Sequence, residues 1–117
     1  MYIEIKILGG IGVKFIDLIP NICDGLPFEK GDLVLLNFWG DNEDLKILDE
    51  ISENLSKKGI FPFKHQCSNS FFKKVVINLI RNGGGFPDEY LSFLSSFKHV
   101  IDIFMYPPSL LNGICQS

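Results

Sequence analysis

His65 and Cys67, two residues apart near the end of one predicted strand, have the spacing best suited to chemistry in this chain. On an extended backbone that spacing puts both side chains on one face. A thiol beside an imidazole there is the start of a nucleophile and its general base. The same pair could contribute to a metal site, but two ligands do not complete one; a purely structural, half-buried pair is the competing reading. Asp102 is the second residue of interest, because it interrupts the apolar run Val100-Ile101-Asp102-Ile103-Phe104. A carboxylate on a buried strand must be paired or have its pKa raised, and a structural partner such as a helix N-terminus or a lysine would serve equally. His99, beside Lys98 at the start of the same strand, reads as exposed.

Other motifs are incomplete. Gly10-Ile11-Gly12 opens like a dinucleotide-binding turn, but Phe15 stands at the third glycine position and only Glu29 and Asp32 follow at the distance of the ribose-binding acid. Gly83-Gly84-Gly85 lacks the Lys-Ser/Thr of a phosphate loop and reads as a link between helices. The three cysteines, Cys23, Cys67 and Cys115, are odd in number, far apart and free of any C-x-x-C pair, so they signal neither a disulfide framework nor a zinc knuckle. The chain is expected to bind no metal and no cofactor.

The elements that must position these residues follow from periodicity. Met1–Leu8 alternates Ile3, Ile5 and Ile7 against Tyr2, Glu4 and Lys6, the pattern of a half-solvated strand at a sheet edge. Val13 to Cys23 has helical spacing, with Pro20 expected to kink or split it. Leu33–Trp39 is nearly all apolar, as a strand covered on both faces would be. Asp41 or Asn42 can cap the helix that follows, with Glu43 and Asp44 in its first turn, Ile47, Leu48, Ile51 and Leu55 as its buried stripe, and Gly59 as its terminator. Pro62 demotes the strand at residues 60–66 toward an edge. Ser68, Asn69 or Ser70 caps a third helix, Pro87 opens a short one through Phe97, and His99–Tyr106 is a further buried strand ended by Pro107-Pro108. Strands alternating with helices give βαβ units and a parallel sheet. The fold class is therefore α/β: three layers, Rossmann-like in the broad sense, a mostly parallel sheet of about four strands with helices on both faces, and one domain over residues 1–117.

Composition narrows the function classes. With 117 residues, 46% apolar content and 11 Phe, the chain can bury a real core. Its 11 basic and 14 acidic residues are dispersed, net charge −3, without the basic stripe of a nucleic-acid binder. No apolar run approaches a membrane span, and the alternating N-terminus is unlike a signal peptide, so the expected setting is cytoplasmic, without membrane or nucleic-acid partners.

In sheets of this kind ligands bind beyond the carboxyl ends of the strands. A ligand taken there would meet Trp39, Cys67, Ser68, Ser70 and Tyr106. Asp41, Glu43 and Asp44 at the start of one helix would repel a phosphate. The Ser68-Asn69-Ser70 start is neutral and open to an anion, although capping is its simpler role.

Two resemblances bear on the reading. Leu33–Gly40 (LVLLNFWG) looks like the central strand of thioredoxin-type proteins, yet Asp41-Asn42-Glu43-Asp44 fill the place where that family has its redox C-x-x-C. That resemblance implies at most a redox-dead interaction module. Over residues 13 to 114, the Lys30-Gly31-Asp32 entry into an apolar strand, the amphipathic helix closed by Lys57-Lys58-Gly59-Ile60, and Pro87–Phe97 followed by Val100-Ile101-Asp102-Ile103 come in an order similar to the N-terminal domain of the thermophilic-type two-domain metallo-aminopeptidases. In that family the metal ligands belong to the C-terminal domain, so the resemblance carries no catalytic residue onto this chain. It implies an α/β domain that shapes or covers a peptide cleft or supports dimerisation.

The favoured expectation is thus a non-catalytic α/β domain for peptide or protein binding and assembly. The alternatives are a small Rossmann-like or flavodoxin-like enzyme or cofactor-binding protein using the carboxyl edge of the sheet, and the redox-dead thioredoxin-like module. Phe61 and Phe63 around Pro62, with Leu110 and Leu111 in the tail, are surplus to a three-layer core. They mark the expected interface for self-association or for a protein partner.

Overall fold

The computed structural model describes residues 1–8 and 12–106, apart from the side chains of residues 8, 12–14, 69 and 106. Leu110, Leu111 and Cys115, and most of the Gly9–Gly12 turn, lie outside the described residues. The order is β1 (Tyr2–Leu8), α1 (Gly12–Asp24), β2 (Leu33–Trp39), a 3-10 turn (Asn42–Asp44), α2 (Leu45–Lys57), β3 (Phe61–Cys67), α3 (Asn69–Asn82), α4 (Asp88–Ser95) and β4 (His99–Tyr106). The four strands pair in parallel in the order β1-β4-β2-β3. β4 and β2, the most apolar strands, take the centre, and β1 and β3 form the edges.

Alternation along the paired strands sorts side chains onto two unlike faces. Ile3, Ile5 and Ile7 of β1, Ile101, Ile103 and Met105 of β4, and Val34, Leu36 and Phe38 of β2 share one face. There they pack with Ile19 and Cys23 of α1 and Ile47, Leu48, Ile51 and Leu55 of α2. This is the hydrophobic core. Burying each large side chain of this kind contributes about 1.5–3 kcal/mol.

The stop of α2 shows how local sequence fixes that layer. Gly59 adopts φ +80°, a conformation costly for any residue with a Cβ. Its N–H reaches the carbonyl of Ser56, and the Ile60 N–H reaches that of Leu55. Leu55 and Ile60 are both buried, which completes the paired hydrogen bonds and apolar contact of a Schellman ending.

Three local expectations change. Pro20 does not split α1, which runs unbroken through it, with its ring exposed to solvent. Neither Asp41 nor Asn42 caps α2 with its side chain. Gln66 Nε2 donates to the Asn42 side chain and to the Gly40 carbonyl, and residues 42–44 wind into the 3-10 turn before α2 begins at Leu45. His99 is half-buried rather than exposed, because it packs edge-on to Phe28 at 5.1 Å between centroids and lies 3.6 Å from the Asp32 carboxylate. Pro62 does sit on an edge strand. Phe61 donates inward to Asp32, so by alternation the nitrogen of Pro62 faces away from the sheet and costs no ladder bond.

Core and edge should respond differently to truncation. Phe38 is fully buried, so Phe38→Ala is expected to cost about 3–5 kcal/mol in urea unfolding. Phe61, at 63% exposure, should cost less than about 1 kcal/mol on the same change. Equal losses would contradict this placement of the core.

Candidate functional site

The second face of the sheet carries a polar row. Glu4 of β1 is paired in register with Asp102 of β4, Asp102 with Asn37 of β2, and Asn37 with His65 of β3. Four strands thus place one polar residue each at the same height on one face. Two of them, Asn37 and Asp102, are fully buried, and the large majority of buried polar groups must find hydrogen-bond partners.

They do so through one network. Asn37 Nδ2 donates to Asp102 Oδ1 at 2.7 Å and to the Tyr90 hydroxyl of α4 at 2.5 Å. Trp39 Nε1 donates to the same carboxylate oxygen at 3.4 Å, and the Tyr2 hydroxyl donates to Asp102 Oδ2. His65 Nδ1 lies 3.1 Å from Asn37 Oδ1. The Cys67 thiol is 3.7 Å from both Asn37 Oδ1 and His65 Nδ1.

A chain of donor and acceptor assignments runs across the row. The ionised Asp102 carboxylate can only accept, so Asn37 turns its amide nitrogen toward it. Asn37 Oδ1 then faces His65, and His65 Nδ1 must carry the hydrogen it donates. That nitrogen is also the one next to the Cys67 sulfur, and it has no lone pair free to take the thiol proton. Burial pushes the thiol up to about 11, which leaves it protonated at neutral pH and a poor nucleophile. In this arrangement the His65 nitrogen nearest the thiol is the one engaged with Asn37, and it is not set as a base for Cys67.

Beyond the row lies an aromatic layer. Trp39 stacks on Phe71 and Phe104 and meets Phe72, Phe86 and Tyr90 edge-on or tilted, all within 6 Å between centroids (5.9 Å at most). Phe93 of α4 packs on His65, and Phe97 on Phe63. Burial among these rings raises the Tyr90 hydroxyl well above its ordinary pKa.

The residues expected at the carboxyl edge fall in different settings. Trp39 and Cys67 are buried at the ends of β2 and β3. Ser68 accepts the Phe71 N–H at 3.1 Å and caps α3, while Ser70 is exposed in the first turn of that helix. The side chain of Tyr106 lies outside the described residues. Asp41, Asn42, Glu43, Gln66 and Ser68 line a cleft of about 430 Å³ there, whose acidic groups suit a cation better than a phosphate. Among the described residues no group of three or more His, Cys, Asp or Glu is placed to hold a metal, and no helix is long and apolar enough to cross a membrane.

Asn37, Tyr2 and Tyr90 were not singled out in the sequence. The available signal was a polar residue inside each of four strands. It becomes a row only when the strand order 1-4-2-3 is known.

Asp102 makes the row sensitive to pH. Three donors favour its charged form, yet burial prevails and raises its pKa from the ordinary 3.8 to about 6. A raised carboxyl pKa means that the folded chain holds the proton more tightly than the unfolded one. This contribution to stability is present below about pH 4 and is lost as pH rises through 6. At neutral pH the ionised group costs up to about 3 kcal/mol. Asp102→Asn keeps an acceptor for Asn37 and Trp39 and can donate to Tyr2. It is expected to raise the melting temperature at pH 7.5, leave it nearly unchanged at pH 4, and flatten the stability profile between. A variant less stable than the parent at pH 7.5 would show that the donors outweigh burial.

Comparison with known proteins finds no matching family model, no matching curated protein and no matching solved structure.

Proposed function

We propose that this chain is a non-catalytic α/β domain that binds a peptide or protein through the face built by α3, α4 and β3. The observation that carries this reading is the contrast between the two helical layers. On the α1/α2 side the helices present fully buried stripes, and of the exposed large apolar side chains Leu18 belongs there. On the other side no described side chain of α3 or α4 is fully buried. Ile77, Leu79 and Ile80 of α3 and Leu91 of α4 are exposed, Ile80 at 76%, as are Phe86 between the helices and Phe61 and Phe63 on β3. Exposed apolar side chains gathered on one face in this number are the kind of surface that interfaces use. The inert geometry of His65 and Cys67 favours binding over chemistry. The similarity in element order to an aminopeptidase N-terminal domain points the same way, toward a surface that meets a peptide.

A cofactor-binding or enzymatic role has one observation in its favour, the costly buried carboxylate of Asp102, since strongly perturbed groups gather at functional sites. Its location beneath the aromatic layer, bonded to Tyr2, Asn37 and Trp39, suits the alternative of a structural anchor for α4.

Selection of a random-peptide display library on the purified chain tests the proposal, with Leu79→Lys/Ile80→Lys as the comparison. Peptides rich in apolar residues should be enriched and should lose at least about tenfold in affinity for the variant, as expected when apolar anchors are removed. A library that yields no binder, or binders indifferent to the two substitutions, would overturn the reading.

A further inference from the structure

We infer that β1 is a self-recognition edge, through which a second copy of this chain adds antiparallel and extends the sheet across a two-fold axis. The inference is independent of the α3/α4 face. β1 pairs on one side with β4 along its whole length. Met1 accepts the Val100 N–H, so by alternation residues 3, 5 and 7 turn their backbone groups toward β4, and Tyr2, Glu4, Lys6 and Leu8 turn theirs outward. No described residue hydrogen-bonds to those outward groups. An unpaired edge of this kind is a template for another strand.

The two edges of the sheet differ in how they are protected. The outward positions of β3 include Pro62, which has no N–H to offer to a further strand. β1 has neither a proline nor a bulge. Its inner-face residues Ile3 and Ile5 remain half-exposed, whereas their neighbours in β4, Ile101 and Ile103, are fully buried.

Charge selects both the partner and the register. In a symmetric antiparallel pair, outward-facing residues must oppose outward-facing residues, so the two strands slide in steps of two. One register sets Glu4 against Glu4 of the second copy, and another sets Lys6 against Lys6; like charges directly opposite are unfavourable. The register between them places Ile5 at the two-fold axis. Glu4 of each copy then faces Lys6 of the other, each such pair exchanges both backbone hydrogen bonds, and Ile3 faces Ile7. Within one chain Glu4 meets Lys6 at 3.7 Å and accepts from the Tyr2 hydroxyl at 3.4 Å; both charged side chains are well exposed, so both can turn to a partner. The alternating sequence Ile-Glu-Ile-Lys-Ile is complementary to itself when reversed. This is the requirement of an interface in which the same patch serves both copies.

Sedimentation equilibrium of the full chain, over a concentration series at low salt, tests the inference. The parent is expected to dimerise. Glu4→Lys and Lys6→Glu should each weaken the dimer, on the order of tenfold or more, because both symmetric pairs become repulsive. The double variant Glu4→Lys/Lys6→Glu restores the complementarity and should restore the dimer. Lys6→Pro removes an N–H that no described residue uses and should also yield a monomer; circular dichroism checks that each variant is folded. A parent that is monomeric throughout, or a dimer unaffected by either single substitution, would overturn the inference. So would a double variant that is folded and monomeric.

Discussion

The buried carboxylate of Asp102 sets the organisation of one half of the molecule. It occupies a central strand, where an apolar residue would pack more cheaply, and it can be accommodated only if donors converge on it. Asn37, Trp39 and Tyr2 supply them from β2 and β1, and Asn37 extends the connection to Tyr90 on α4. Because a carboxylate accepts and never donates while ionised, it fixes the orientation of Asn37. Asn37 in turn orients the His65 ring beside Cys67. An orientation imposed on β4 thus reaches β3, two strands away.

That constraint also explains why the two helical layers differ. Polar groups on a sheet face reduce the apolar area on which a helix can pack. The helices over the row compensate with aromatic rings, which can cover polar neighbours with broad apolar surfaces while offering a hydroxyl where one is needed. Tyr90 does both. The resulting layer is held by Trp39 and its neighbours near the carboxyl ends of the strands, and its outer apolar residues remain in solvent. The α1/α2 layer has no such compromise. Across β1, β4 and β2 its side of the sheet is mainly branched aliphatic, with Phe38 and Met105 among them, and it supplies the buried apolar core against which the ionised Asp102 must be set.

Much of this was legible in the sequence, and the reasons are local. The alternation in β1, the nearly continuous apolar run of β2 and the stop of α2 at Gly59 each depend on a few neighbouring residues, and the structure has them where the sequence places them. The edge position of β3 followed from Pro62 alone. Two kinds of information were not local. The strand order 1-4-2-3 brings Glu4, Asp102, Asn37 and His65 to one height, and no spacing in the chain encodes that alignment. The start of α2 depends on Gln66, more than twenty residues downstream, which engages Asn42 and the Gly40 carbonyl and leaves a 3-10 turn where a side-chain cap was expected. Pro20, expected to kink or split its helix, lies within an unsplit α1.

The row and the β1 edge are connected through Tyr2. Its backbone lies on the outward side of β1, yet its hydroxyl reaches across the sheet face to Asp102 and its ring lines the cleft that Leu91, Leu94 and Phe97 form at the amino end of the sheet. An edge strand pinned by a side-chain hydrogen bond to the central strand is held flat and in register. A strand so held loses less conformational freedom when another strand pairs with it. The buried carboxylate, unfavourable for the stability of the single chain, would in this way contribute to the readiness of the edge.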